Sequence, residues 1–214
     1  MTCQREGSPG DEGEEGMRTG HPGSGSGAPA SPILTLEPLL EGVRSGIEAA
    51  GWTLSGLQKT TSHEFEGRWA GTDTRSAYLF FHRDDLPESI SVEAFLDETS
   101  PGLKGNVTLV VDGPRYGDLG RASPILERVA AAVAETVPPG DGPPAPLSLR
   151  LLLPDPATPA LAAQVQLRIR RPLPARTVER GVCCVEGWAA GTVALWEELL
   201  ERPEVAEFLP PVTE

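Results

Sequence analysis

Leu36-Glu37-Pro38-Leu39-Leu40-Glu41-Gly42-Val43-Arg44-Ser45-Gly46-Ile47-Glu48-Ala49-Ala50-Gly51-Trp52 is the stretch from which the fold is read. Leu36, Leu39, Leu40, Val43 and Ile47 recur at helical spacing and share one face, while Glu37, Glu41, Arg44 and Glu48 share the other. Thr35 stands where an N-cap oxygen is needed, and Pro38 falls in the first turn, where a missing N–H costs little. Gly51 fits the left-handed position that ends a helix. Gly42 and Gly46 oppose the helix, at about 1 kcal/mol each against alanine. Burial of the aliphatic face outweighs them, at roughly 1.5–3 kcal/mol per side chain. Such a helix needs a surface to lie on, and the strand-like sequence from Thr53 to Val111 is the nearest.

Part of the pattern returns at Pro124-Ile125-Leu126-Glu127-Arg128-Val129, 86 residues later, with Ser123 and Pro124 as N-cap and first helical residue. Glu66-Gly67-Arg68-Trp69-Ala70-Gly71-Thr72 resembles Glu186-Gly187-Trp188-Ala189-Ala190-Gly191-Thr192 at a different offset, 120. The two offsets do not make one repeat without an insertion.

Between the two helices the period changes from 3.6 to 2. Thr53 to Trp69 is rich in alternating and β-branched residues, and Gly71-Thr72-Asp73-Thr74 reads as a turn. Ser76-Ala77-Tyr78-Leu79-Phe80-Phe81-His82 is a short aromatic strand, followed by a turn at Asp84-Asp85-Leu86-Pro87. Ile90, Val92, Ala94 and Leu96 alternate on the next, Pro101-Gly102 turns, and Asn106 to Val111 is a further strand closed by Asp112-Gly113-Pro114. Beyond the second helix, near 123–136, the run Pro138-Pro139-Gly140-Asp141-Gly142-Pro143-Pro144 reads as a solvent loop and a boundary between two halves near 138–145. Leu147 to Leu153 and Ala162 to Arg170 follow as strands, the latter with Val165, Leu167 and Ile169 inward and Arg168 and Arg170 on a solvated face. Thr177 to Val185 suggests another strand. Thr192 is then the cap of a last helix that buries Val193, Trp196, Leu199 and Leu200, turns Glu197, Glu198 and Glu201 to water, and is interrupted at Pro203.

The expected fold is α+β. An antiparallel sheet of six to seven strands, or two smaller sheets, packs against three helices in the order α-β-β-β-β-α-β-β-(β)-α. Residues 33–214 form the expected domain. Residues 1–32, built from Gly, Ser, Pro and Glu with almost no aliphatic side chain, read as a disordered tail. The element order, in an acidic chain, is similar to that of type III secretion chaperones. The likeness implies a protein that holds another protein, and no sequence motif accompanies it.

Composition limits the function. The 214 residues carry a formal charge of −13, from 31 acidic and 18 basic side chains, of which only Lys59 and Lys104 are lysines. Nucleic-acid affinity rests on clustered cations that release counterions, so a nucleic-acid partner is not expected. No apolar run approaches the roughly 18 residues of a membrane span, and no apolar leader opens the chain. The expected compartment is the cytoplasm. Cys3 and the adjacent pair Cys183-Cys184 do not form a disulfide framework, and in a strand the adjacent pair would point to opposite faces as small apolar residues.

No phosphate-loop lysine, dinucleotide fingerprint, nucleophile elbow or H-E-x-x-H occurs, and three histidines give little material for a metal site. No cofactor is expected. The most polar cluster beside a strand is His82-Arg83-Asp84-Asp85, where adjacent carboxylates could bind a cation or move a proton, or where a strand simply runs out into a charged turn. Trp52, Trp188 and Trp196 read as core. Trp69, before a turn, reads as core or as an exposed anchor for a partner. The expected function is a non-catalytic, chaperone-like binding or adaptor protein acting through protein–protein contacts or self-association. The alternative is an enzyme or small-ligand binder whose polar groups meet only in three dimensions.

Overall fold

The structure is a computed structural model that describes residues 33, 35–60, 63–65, 68–70, 75–99, 102–116, 122–137, 147–152 and 163–209. The tail at 1–32 and the loop at 138–146 lie outside the described residues. Among the described residues the order is α1 (Leu36–Ala49), β1 (Thr53–Thr60), β2 (His63–Phe65), β3 (Arg68–Ala70), β4 (Ser76–His82), β5 (Ile90–Thr99), β6 (Gly102–Tyr116), α2 (Ser123–Thr136), β7 (Leu147–Leu152), β8 (Ala163–Pro172), α3 (Ala175–Glu179), α4 (Val182–Leu200) and α5 (Pro203–Phe208). Six strands form one antiparallel sheet in the order β1-β4-β5-β6-β8-β7, and β2 and β3 form a separate hairpin. The fold is α+β, as the periodicities imply.

Alternation along the strands sorts the sheet into two faces. Ala77, Leu79 and Phe81 of β4, Val92, Ala94 and Leu96 of β5, Val107, Leu109 and Val111 of β6, and Val165, Leu167 and Ile169 of β8 point to the helices and are buried. Their direct cross-strand partnerships, such as Leu79 with Ala94 and Leu109 with Ile169, stack that core in layers. The hairpin between β5 and β6 turns where Thr99 pairs with Gly102, at a φ of 127° that glycine accepts. The sequence places the end of β6 at Asp112-Gly113-Pro114. The strand instead continues to Tyr116 through an irregularity in its pairing with β8 between Asp112 and Arg115, so a turn-like tripeptide is absorbed as a bulge.

Helix α1 lies on β5, β1 and β4 through Leu36, Leu39, Leu40, Val43 and Ile47, all buried, and Gly51 ends it at a φ of 87°. Its closest helical neighbour is α4. The two glycines that oppose helix formation in the sequence form that contact. A Cβ on Gly46 would stand 2.3 Å from the Glu186 carbonyl oxygen and 2.9 Å from Ala189 Cβ. The backbones therefore meet with no side chain between them, and the propensity penalty is offset by packing.

The C-terminal third departs most from the sequence reading. Thr177 to Val185 is not a strand: α3 starts after Pro174, and Gly181, at a φ of 93°, breaks the chain before α4 begins. The last long helix starts at Val182, ten residues before Thr192. Thr192 is buried in mid-helix and its hydroxyl donates to the Trp188 carbonyl one turn back, as threonine does inside helices. Gly187 and Gly191, which hide this helix from propensity rules, sit where an added Cβ would touch nothing within 4 Å. Cys183 and Cys184 therefore occupy the first turn of a helix, free, the first exposed and the second half-buried, rather than opposite faces of a strand.

Two alanine substitutions separate packing from propensity. Gly46→Ala should lower unfolding free energy by about 1–3 kcal/mol, because the backbones must part. Gly187→Ala should raise it by up to about 1 kcal/mol, because only helix propensity changes. Urea melts of both variants measure the contrast, and equal signs would refute the close-approach role of Gly46.

Candidate functional site

His82 closes β4, and Arg83, Asp84 and Asp85 form the turn after it, held by a hydrogen bond from Leu86 N–H to the Arg83 carbonyl of 3.1 Å. His82 Nε2 lies 3.3 Å from Asp84 Oδ1, but the Asp84 side chain is 93% exposed. Arg83 donates from Nε and Nη2 to the two oxygens of Asp85 and from Nη1 to Glu197 of α4. Its guanidinium lies over the Trp52 ring, 5.9 Å from the centroid, and Trp52 Nε1 donates to the same Glu197 carboxylate at 3.4 Å. Glu197, expected to face water, thus receives two donors. The hydrogen bond from Arg83 leads the causes that hold the Asp85 carboxyl below its ordinary value, and the same bond leads those that raise the guanidinium.

This arrangement is a tie between the end of β4, the end of α1 and the face of α4. Both Asp85 oxygens are occupied by Arg83, which leaves the turn without a pair of free, converging carboxylates for a cation or a proton. Among the described residues, no group of three or more His, Cys, Asp or Glu side chains is placed to hold a metal ion. Trp69 stands on β3, paired with Glu64 of β2, and the surroundings of its side chain lie outside the described residues.

The sheet face turned away from the helices carries a different constellation. Tyr78 of β4 pairs with Phe95 of β5, and Phe95 pairs with Asn106 of β6. One row along, Thr108 of β6 pairs with Arg170 of β8, and beyond it Arg168 pairs with Ser148 of β7 and Gln166 with Arg150. All of these except Gln166 line a recess of about 180 Å³. At one end the Tyr78 and Phe95 rings stack at 4.5 Å between centroids, with Tyr78 43% exposed. At the other end stand three arginines. Arg168 is neutralised by Glu93 and also donates to Gln166, while Arg150 and Arg170 have no ion-pair or hydrogen-bond partner among the described residues.

The sequence already places Arg168 and Arg170 on a solvated face. Arg150, Tyr78, Phe95 and Asn106 escape it, because each joins the others only through the strand order β4-β5-β6-β8-β7. The alternation of polar residues along Ser148-Leu149-Arg150 and Gln164 to Arg170 was the available signal.

The two sheet edges differ. Edge strand β1 exposes Leu57 but is otherwise mostly polar, is irregular in pairing between Leu54 and Gly56, and carries Lys59, which bonds Glu37 of α1. Edge strand β7 presents Leu149, Leu151 and Leu152 at 46%, 51% and 44% exposure. Leu149 and Leu151 pair with the core residues Leu167 and Val165, so they lie on the helix side of the sheet yet beyond its cover. No described helix or strand lies on the free edge of β7.

Arg83→Met should cost about 1 kcal/mol of stability, a small value because the tie is partly solvated, while Asp84→Asn should leave the urea midpoint unchanged. The pH dependence has a definite sign. Asp85 and Glu204 both have carboxyls held below their ordinary values, Glu204 first by its own backbone N–H and then by Arg202. Their contribution is complete above the unfolded pKa of about 4 and is lost as pH falls through the lower folded values. Urea midpoints taken from pH 5 down to pH 3 should fall less steeply in Asp85→Asn/Glu204→Gln than in the wild type.

Among the described residues no helix is long and apolar enough to cross a membrane. The chain matches no protein-family model, no curated protein and no solved structure, so the likeness in element order to type III secretion chaperones has no structural match behind it.

Proposed function

We propose that the protein is a non-catalytic binding or adaptor protein that holds an extended segment of a partner protein as an added strand on β7. One observation carries this reading: an edge strand with no described element on its free side, bearing Leu149, Leu151 and Leu152 at 44–51% exposure. Natural sheets blunt such edges with lysine, proline or irregular pairing, as β1 does here, and an aliphatic edge without such devices is a template for another strand. Main-chain hydrogen bonds supply affinity in that mode, and alternate side chains supply specificity.

The two faces of β7 define the partner. A strand added beside it would set every second side chain against Leu149 and Leu151, and the others near Ser148, Arg150 and Leu152. The fitting partner is a segment that alternates aliphatic with acidic or neutral polar residues. The tie at Arg83 favours binding over catalysis, since the most polar cluster beside a strand serves the fold.

Selection of displayed random decapeptides against the purified protein tests the proposal. Enriched peptides should alternate aliphatic and acidic positions, and Leu149→Lys/Leu151→Lys should weaken them at least about tenfold while melting at the wild-type temperature, since both side chains are half in water. Peptides without a period of two, or peptides that bind the lysine variant equally, would overturn strand addition. A wild-type dimer in light scattering that the lysine variant splits would give the edge to a second copy and overturn the adaptor role.

A further inference from the structure

We infer that the recess on the outer sheet face is a binding site for a small planar anion: one aromatic ring bearing a carboxylate or a phosphate. The recess shares Ser148 and Arg150 with the outer face of β7, but the inference does not depend on a strand being added there.

The first is charge. The lining residues are Tyr78, Phe95, Asn106, Thr108, Ser148 and three arginines, with no carboxylate among them. Arg168 is satisfied by Glu93, and the nearby Asp112 is engaged by Gln166. Arg150 and Arg170 are left as two cations facing one hollow without a described counter-charge, in a chain whose formal charge is −13. A guanidinium fork matches a carboxylate or phosphate with two parallel hydrogen bonds, so an anion in the recess would be met from both sides.

The second is hydrogen-bond polarity. The Thr108 hydroxyl donates to Asn106 Oδ1 at 3.0 Å, which leaves the Asn106 amide as a free donor. The Ser148 hydroxyl proton is directed to the Arg168 carbonyl at 3.5 Å. The recess therefore offers mainly N–H donors, from Asn106, Arg150 and Arg170.

The third is shape. A hollow of about 180 Å³ is smaller than the roughly 300–1,000 Å³ of sites that take whole cofactors or drug-sized ligands. It suits one ring and one anionic group. The exposed Tyr78 ring, backed by Phe95, provides the apolar end against which a ligand ring stacks. A long polyanion is disfavoured by the charge of the rest of the chain, which removes the local gain after the first phosphate.

Titration of the full chain with benzoate, phenyl phosphate and inorganic phosphate, followed by amide and arginine side-chain NMR, tests the site. Benzoate and phenyl phosphate should saturate, with shifts centred on Tyr78, Arg150 and Arg170, and the tighter of the two identifies carboxylate or phosphate as the natural group. Inorganic phosphate, which lacks the ring, should bind several-fold more weakly. Arg150→Gln/Arg170→Gln should weaken the ring-bearing anions about tenfold or more. Tyr78→Ala should erase the preference for the ring and leave inorganic phosphate unaffected. Arg150→Lys, which keeps the charge and loses the fork, should fall between wild type and the double variant. Linear, unsaturable shifts, or a double glutamine variant that keeps the native spectrum and binds as the wild type does, would overturn the site.

Discussion

The contact between Gly46 of α1 and the backbone of α4 is the constraint on which the rest of the structure depends. Two helices that meet backbone to backbone have little freedom to slide or rotate, because the nearest atoms are not flexible side-chain ends. That contact makes α1 and α4 one layer, and the layer then covers the central strands. Trp52, Trp196, Phe81 and Phe208 fill the space between layer and sheet, all within 1% of full burial. The Arg83 tie closes the rim of the same arrangement, joining strand end, helix end and helix face through a single guanidinium.

Legibility in the sequence followed periodicity. Where the apolar period was unambiguous, the elements appear where they are read: α1, β4 and α2 agree almost to the residue. The reading failed where composition and context diverge. Val182-Cys183-Cys184-Val185 is rich in residues that favour strands, yet it opens a helix, because tertiary packing of Val185 and Ala189 against α1 overrides propensity. The glycines told a similar story in reverse. Gly46 looked like a defect and is the contact point, whereas Gly187 drew notice only in a segment resembling residues 66–72 and is an exposed helical position.

The surface was less legible than the core for a physical reason. A buried side chain announces itself by hydrophobicity, whereas a polar side chain on a sheet gains meaning from its neighbours across strands. Arg150 and Tyr78 are 72 residues apart in the chain and line one recess. Strand order decided that proximity, and strand order is not written in any local pattern. The conspicuous local cluster, His82 to Asp85, turned out to be engaged with the frame through Arg83, while Arg150 and Arg170, without a partner among the described residues, lie on the face of the sheet turned away from the helices.

The sheet also bears on how the molecule could vary. Thr60 of β1 pairs with Ser76 of β4, so the chain between them departs from the six-stranded sheet and returns to the same point, carrying the β2–β3 hairpin on the way. The frame has already closed that loop, and lengthening it adds only the slow logarithmic entropy of a longer excursion. Change within that span shifts no register elsewhere. Among the described strands, the β2–β3 hairpin pairs with none of the six in the main sheet, so its length is free to change without altering how those six align.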